Sequence, residues 1–565
     1  MPEHQGYGRE TLAELPFFAA ERFAGRPAQR FKRDGEWHDL SYTGLRDRTV
    51  EIALGLIALG VQPGDRVCVL SDTRPQWVHV EYGIAAAGAV VVPIYPSSSP
   101  EECLWVIGDS GAVAVVVENA AKLAKLDDLR EQLPELRHVL IIDAGDPGGA
   151  GVTSIEQLRA QVRQADAAEV ARRVAGVHAD DPALIIYTSG TTGRPKGCVL
   201  THRNMTASCR ITQELDILGP DDVTYLFLPL AHVFAQVVQL STNAVGGVVA
   251  YCSGGAAAIM ADCAEVRPTC LPAVPRIFEK VYAAFAGQLP AEPGGSSPAL
   301  EQLHAQVRAL FGGRLREPIT GAAPVAAEIL EFFHAAGVPV HEGYGLSESA
   351  GVGTFNIRDA TRIGTIGRPV PGTEIRFADD GEILIRGPQI FAGYWNNPDA
   401  SAEVLLDGWL QTGDLGSADD DGFVTITGRK KDIIITAAGK NLTPANLENE
   451  LRQSRWISQA VMHGDRRPYP VVLITLDAEQ VIPWARQQGL TDDIAKLAAD
   501  PAVRALIEPV VAQVNSRRAQ VAQVKKFTIL DHDFSTETGE LTPTLKVKRR
   551  MVEAKYAHMF DALYA

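Results

Sequence analysis

The chain has 565 residues, 46% of them hydrophobic and 22% charged, ordinary globular proportions that exclude a disordered or fibrous polymer and, at this length, call for two or more domains. Its formal charge of −16, from 69 acidic against 53 basic residues, creates a field that repels nucleic acid and anionic membrane. Cys68, Cys103, Cys198, Cys209, Cys252, Cys263 and Cys270 form no CxxC pair, which fits reduced thiols and neither a disulfide framework nor a zinc site.

In chain order, the N-terminal MPEHQGYGRETLAELPFF has no basic stretch followed by an apolar one, and the longest apolar run, 83–94, is too short to cross a bilayer. The expectation is a cytoplasmic protein without a transmembrane segment, whose membrane contact, if any, is peripheral. Helical patterns at 45–59, 76–87 and 100–109 alternate with apolar strands at 66–70, 90–94 and 113–117, the rhythm of an α/β fold with a largely parallel sheet. Apolar runs at 138–143, 183–187, 224–228 and 248–252 extend it, and the Pro/Gly/Ser-rich 289–298 reads as a loop.

After Arg362 short alternating segments such as 373–377 and 382–386 predict antiparallel strands, and after Gly428 a Lys-rich turn precedes an apolar strand at 433–436 and further helices. The expected architecture is therefore a large N-terminal domain, 1–428, of parallel and mixed sheets flanked by helices. It includes a small antiparallel β subdomain at about 362–428 and is followed by a small α+β C-terminal domain, 429–565.

Directly behind the strand ALII comes YTSGTTGRPKG (187–197), with three glycines, four Ser or Thr hydroxyls and one lysine in a single loop. Backbone N–H groups and hydroxyls of such a loop can wrap phosphates while Lys196 supplies a point charge. It lacks the GxxxxGK[ST] pattern, and a flexible Ser/Gly linker is the bland alternative. The chain also carries PLAHVF (229–234), TGAAP (320–324), EGYGLSES (342–349), DGWLQTGDLG (407–416), GRKKD (428–432) and LTPTLKVKRR (541–550).

In joint order and spacing these segments resemble the adenylate-forming superfamily of acyl-CoA synthetases, peptide-synthetase adenylation domains and firefly luciferase, over roughly residues 35–555. RPTCLPAVPRIFEKVY (267–282) and DGFVTITGRKK (421–431) are similar to fatty acyl-CoA synthetases in particular. The resemblance implies an AMP-forming acid–thiol ligase acting on a medium- to long-chain fatty acid, with ATP and coenzyme A as co-substrates and Mg2+ as cofactor. Attack of a carboxylate on the α-phosphate brings two anions together, so preplaced cations and N–H donors are required.

By resemblance, Thr188, Ser189, Gly190, Thr191, Thr192, Gly193 and Lys196 surround the phosphates, and Thr188 and Glu348 hold the metal. Adenine lies between Gly321, Ala322, Ala323 and the segment Glu342, Gly343, Tyr344, Gly345, Leu346, Ser347, while Asp414, in a turn after an aromatic-rich strand, and Arg429 take the ribose hydroxyls. Lys546 aligns with the family's catalytic lysine on a mobile loop of the small domain, and Lys548 is the rival register. His232 falls near the acyl carbonyl, and Phe234, Val237, Val238 and Leu240, at helical spacing, line an acyl tunnel or are plain core. Lys431 matches the hinge, and the loop containing Ala438, Gly439 and Lys440 borders the coenzyme A channel.

A Gly/Ser/Pro-containing connection stands where long-chain members often insert an extended helical region between 282 and 320. The alternatives are an acyl-AMP ligase delivering to an acyl carrier protein and, more distantly, a luciferase-like oxygenase or an inactive nucleotide-binding homologue. No extra insertion stands near the hinge between 393 and 442, which favours free coenzyme A, and the fifteen residues after Arg550 leave no room for a fused carrier domain.

Overall fold

The computed structural model describes residues 8–143, 151–161, 167–188, 194–289, 297–437, 440–542 and 546–565. Parallel strands must be buried on both faces, which explains the unbroken Val/Ile runs: every residue of Val90–Ile94 and Ala114–Val117 is buried. These two flank Arg66–Leu70 in an eight-stranded sheet that continues through His138–Ile141 and Val152–Ser154 on one side. On the other side Pro182–Thr188 follows, then its antiparallel partner Lys196–Thr201 and finally Gly393–Tyr394. The helices between strands obey local stop and start signals. Pro100–Ser110 begins with a reciprocal Ser99–Glu102 capping box and ends at Gly111 in the left-handed region, φ 60°.

A nine-stranded sheet has at its centre Val223–Leu226, Val248–Tyr251, Cys270–Ala273, Glu317–Thr320 and His341–Tyr344, all parallel. The helices Tyr42–Ala58, Pro75–Ala86, His202–Glu214 and Val233–Val245 share one continuous core with residues of both sheets. Val233–Val245 is buried nearly all round, so its apolar stripe is one side only. Along another, Gln236 Nε2 donates to the Leu230 carbonyl (2.7 Å), and Gln239 and Asn243 bond the Tyr82 hydroxyl at 3.0 and 2.9 Å.

The antiparallel subdomain is smaller than the sequence pattern implies. Its sheet comprises Glu374–Phe377, Glu382–Arg386, Leu405–Leu406, Trp409–Ala418 and Val424–Arg429. Arg368–Pro369 instead edges the nine-stranded sheet, and Gly393–Tyr394 edges the eight-stranded one. The proposed loop 289–298 falls mostly outside the described residues and leads into the helix Pro298–Leu310.

Beyond a short turn at Lys430–Asp432, the remaining chain builds its own sheet, Ile457–His463, Val471–Leu476 and Lys526–Ile529, under helices Pro444–Arg452, Ala478–Gln487 and Pro501–Ser516. Arg549 fastens the C-terminal helix Arg549–Lys555 to this body through two bonds from Nη2 to Glu448, at 2.6 and 2.7 Å. Among the described residues no helix is long and apolar enough to cross a membrane.

Burial keeps two histidines neutral. His202 accepts the Leu12 N–H on Nδ1 at 3.1 Å and is pushed down to about 4 by burial, and His79, against Gln29, to about 3. Their folded-state values lie below the unfolded one, so their contribution is present above about pH 6.5 and is lost as pH falls toward 4. His202→Leu should destabilise the chain by about 1–3 kcal/mol at pH 7, and the gap from wild type in urea unfolding should shrink by pH 4.5.

Candidate active site

The site is assembled where the two sheets and the subdomain end together. Pro182–Thr188 and Lys196–Thr201 pair antiparallel, with Thr188 opposite Lys196, so the two ends of the phosphate-loop segment stand side by side. Ser189, Gly190, Thr191, Thr192 and Gly193 lie outside the described residues. Next to Lys196, Trp105 Nε1–H donates to the Pro195 carbonyl at 2.8 Å and the Arg194 guanidinium lies 4.6 Å from the Trp105 ring centroid.

The adjacent parallel strands Glu317–Thr320 and His341–Tyr344 carry TGAAP and EGYGLSES side by side, with Thr320 opposite Glu342. Close approach dictates the small residues. A Cβ on Gly321 would stand 3.0 Å from the Gly343 carbonyl oxygen, and one on Gly345 only 2.2 Å from that of Gly351. Ala322 adopts φ +67°, strained for a residue with a side chain, a feature that clusters at ligand-binding positions. Half-buried Gly321 and exposed Ala323 flank it. Glu342 turns away toward the Val325 backbone, and burial pushes its carboxyl up to about 8, so it is protonated at neutral pH. Leu346 and Ser347 lead into the turn Ser347–Ser349, closed by the Ser349 hydroxyl accepting the Leu346 N–H at 2.9 Å.

Asp414 lies within the strand Trp409–Ala418 and not in a turn as expected from TGD. Gly413, at φ +71°, and a register shift after Leu415 kink the strand there. Its cross-strand partner is Arg429, whose Nε donates to Oδ1 at 2.8 Å, and the Tyr344 hydroxyl donates to Oδ2 at 2.6 Å. Tyr344 and Arg429, far apart in sequence, thus share one buried carboxylate. Desolvation and the Asp414 charge push the Tyr344 phenol well up, so it remains a donor.

Glu348 meets the strand Lys196–Thr201 through a residue that the sequence motifs did not single out, Tyr394. The Tyr394 hydroxyl donates to Glu348 Oε1 at 2.7 Å, and the Lys196 ammonium lies 5.0 Å from the centre of the same ring. The signal was weak because GYW is two short of a strand motif, and only its pairing beside Lys196–Thr201 gives it meaning.

Lys546 enters from the C-terminal portion. It stays exposed to solvent within the cleft, yet crowding by protein and the Arg429 charge lower its pKa to about 8, against the opposing pull of Asp414 and Glu348. The Lys548 ammonium points elsewhere, 3.9 Å from Glu102. His232 caps the helix Val233–Val245, its Nδ1 accepting the Phe234 N–H at 3.2 Å, so the neutral ring carries its proton on Nε2. Burial, with the Lys546 charge, pushes it down to about 4. Half-buried Phe234 and buried Val237 follow, and Val237 packs 3.4 Å from where a Cβ of Gly351 would be. Lys431 is exposed in the connecting turn, while neighbouring Lys430 pairs with Asp380 and Glu382 at 2.5 and 2.9 Å. Lys440 closes the hairpin Ile434–Ile435 and Asn441–Leu442; Ala438 and Gly439 lie outside the described residues.

Among the described residues no cluster of three or more His, Cys, Asp or Glu side chains forms a metal cage. A lone carboxylate, Glu348, with one oxygen taken by Tyr394, suits a hard cation that keeps most of its other ligands from phosphate and water.

The chain matches the family model described as AMP-binding enzyme over residues 17–395 and that described as AMP-binding enzyme C-terminal domain over 431–565. It is 40% identical to the long-chain-fatty-acid–CoA ligase FadD15 of Mycobacterium tuberculosis, covering 94% of this chain and 93% of that protein. It is 30% identical to the rat long-chain-fatty-acid–CoA ligase ACSBG1, covering 98% and 85%. The fold is that of the A domain of a carboxylic acid reductase from Segniliparus rugosus, solved with AMP and a co-purified carboxylic acid. The TM-score is 0.82 at 21% identity, over 99% of this chain and 95% of that one.

A methyl group at Gly345 would meet the Gly351 backbone at 2.2 Å. Gly345→Ala should therefore destabilise the chain by about 1–3 kcal/mol through a forced backbone shift, read as a lowered calorimetric unfolding temperature.

Proposed function

The chain belongs to the AMP-binding enzyme family, and from that premise we propose that it is an ATP-dependent long-chain fatty acid–CoA ligase whose residues work as follows. The observation that carries the assignment of roles is the convergence of Lys546 with Arg429, Asp414 and Glu348 in one cleft, in a chain 40% identical to a ligase of this activity.

In the first half-reaction a fatty acid carboxylate oxygen attacks the α-phosphorus of ATP, the bond to the bridging oxygen breaks, and pyrophosphate leaves with that electron pair. Lys546 faces the charge that develops on the α-phosphate, and Lys196 with the 188–193 loop holds the outer phosphates. Asp414 accepts the ribose hydroxyls while Tyr344 and Arg429 fix its orientation. Adenine rests on the Gly321–Ala323 backbone against Tyr344. Thr188 and Glu348 are the residues that would hold magnesium, which neutralises phosphate charge when bound.

In the second half-reaction the thiolate of coenzyme A attacks the acyl carbonyl carbon and AMP departs. His232, with its proton on Nε2, can donate a hydrogen bond to that carbonyl. The acyl chain runs past Phe234 and Val237. Between the two steps the small domain turns about Lys431, withdrawing Lys546 and bringing the hairpin with Ala438, Gly439 and Lys440 to the thiol.

Lys546→Ala should lower ATP–pyrophosphate exchange by about two orders of magnitude or more while still converting supplied acyl-adenylate to acyl-CoA; normal exchange in this variant would refute the role. The wild-type protein should also show an alkaline limb. Lys546 loses its proton as pH rises through about 8, so kcat/KM for ATP in the exchange reaction should fall above that pH. In kcat the limb should lie higher, because bound phosphates favour the ammonium. Lys546→Arg, charged throughout, should remove the limb.

A further inference from the structure

Tyr394 stands between two opposite charges that the fold brings to one site. The Lys196 ammonium lies 5.0 Å from its ring centre, and its hydroxyl donates to Glu348 at 2.7 Å. No ion pair joins Lys196 to Glu348 among the described residues. The phenol is fixed from several sides. Tyr394 pairs with Cys198 across the sheet edge, its N–H donates to the Ser401 hydroxyl at 2.8 Å, and the Trp395 N–H donates to the Gly197 carbonyl at 2.7 Å. The Phe391 ring packs edge-on at 5.0 Å.

We propose that Tyr394 is a positioning residue that keeps the phosphate-binding lysine and the metal-binding carboxylate apart, so that each meets its ligand unpaired. The inference rests on the roles given above to Lys196 and Glu348. A lysine and a carboxylate in a partly desolvated cleft attract strongly and would collapse onto one another. ATP and its metal would then have to break that pair before binding. The aromatic face answers the cation weakly, through the ring quadrupole. The hydroxyl occupies Oε1 of Glu348, so Oε2 is the oxygen left for a ligand. Burial and the Glu348 charge push the phenol well above its usual value, so it remains a donor across the working pH range.

The test uses the full chain and two probes: ATP binding without divalent metal, by calorimetry, and Mn2+ binding to the protein–ATP complex, by electron paramagnetic resonance. Tyr394→Phe keeps the ring and removes the hydroxyl, so Mn2+ affinity should fall about tenfold with metal-free ATP affinity unchanged. Tyr394→Ala, or Tyr394→Leu if the alanine variant does not fold, should also weaken metal-free ATP binding about tenfold, because Lys196 becomes paired with Glu348. In the Glu348→Gln background that same substitution should cost no ATP affinity, since no carboxylate remains to capture the lysine. Wild-type Mn2+ affinity in Tyr394→Phe would overturn the orienting hydroxyl, and an equal ATP loss in both backgrounds would overturn the separation. Unchanged Mn2+ binding in Glu348→Gln alone would instead remove the metal role of Glu348, a distinct failure.

Discussion

Binding a polyanion requires cations that the protein has not already neutralised with its own carboxylates, and that constraint orders the charges around this cleft. Most basic residues nearby are committed: Arg429 to Asp414, Lys430 to Asp380 and Glu382, Arg549 to Glu448. Lys196 and Lys546 are different. Neither makes an ion pair among the described residues; one lies over an aromatic ring, and the other sits in a field where Arg429 lowers its proton affinity and Asp414 and Glu348 restore part of it. Preplaced charge of this kind needs no reorganisation when a transition state forms.

Lys546 belongs to a part of the chain that has apolar clusters of its own. The apolar clusters of the C-terminal part draw only on residues from 434 onward, so among the described residues no hydrophobic core spans the two parts. What joins them is polar: Arg276 to Asp477 at 2.6 Å, Lys280 to Glu479 at 2.9 Å and Lys548 to Glu102 at 3.9 Å. Ion pairs this open to solvent contribute about 0–1 kcal/mol each, so the polar seam adds little to holding the two parts in one arrangement. Arg276 and Lys280 belong to the segment 267–282 that resembles fatty acyl-CoA synthetases, giving that motif a place at the boundary between the parts.

Much of the fold was legible in the sequence because the large domain is made of buried parallel strands, whose Val/Ile runs are unmistakable, and residues that meet in the cleft, Tyr344, Asp414 and Arg429, lie in compact strings. The strands at 66–70 and 90–94 lie where the pattern put them. Long-range pairing was not legible. That Gly393–Tyr394 leaves the antiparallel subdomain to edge the strand of Lys196 depends on partners nearly 200 positions away, and no local period encodes it. Nor could TGD reveal that Asp414 sits mid-strand opposite Arg429, since a glycine with positive φ reads as a turn whether the chain reverses or merely kinks. The basic residues that follow favour Lys546 over Lys548, and the Lys548 ammonium lies 3.9 Å from Glu102 while the charges of Arg429, Asp414 and Glu348 act on Lys546.

The helix Val233–Val245 has one side occupied by polar groups and another by valines. Gln236, Gln239 and Asn243 engage Leu230 and Tyr82, so that side of the helix is closed by hydrogen bonds whose rupture would strand buried polar groups. Val233 and Val237 face Gly351, just beyond the segment carrying Tyr344 and Glu348, and there a side chain is absent at a backbone of φ +80° that disfavours one. An apolar chain gains about 0.8 kcal/mol for each methylene it buries, and it gains this only along a surface with no polar groups to unsatisfy. If His232 stands at the acyl carbonyl, as proposed, the chain would run along the valine side of the helix, where Val233 and Val237 approach Gly351.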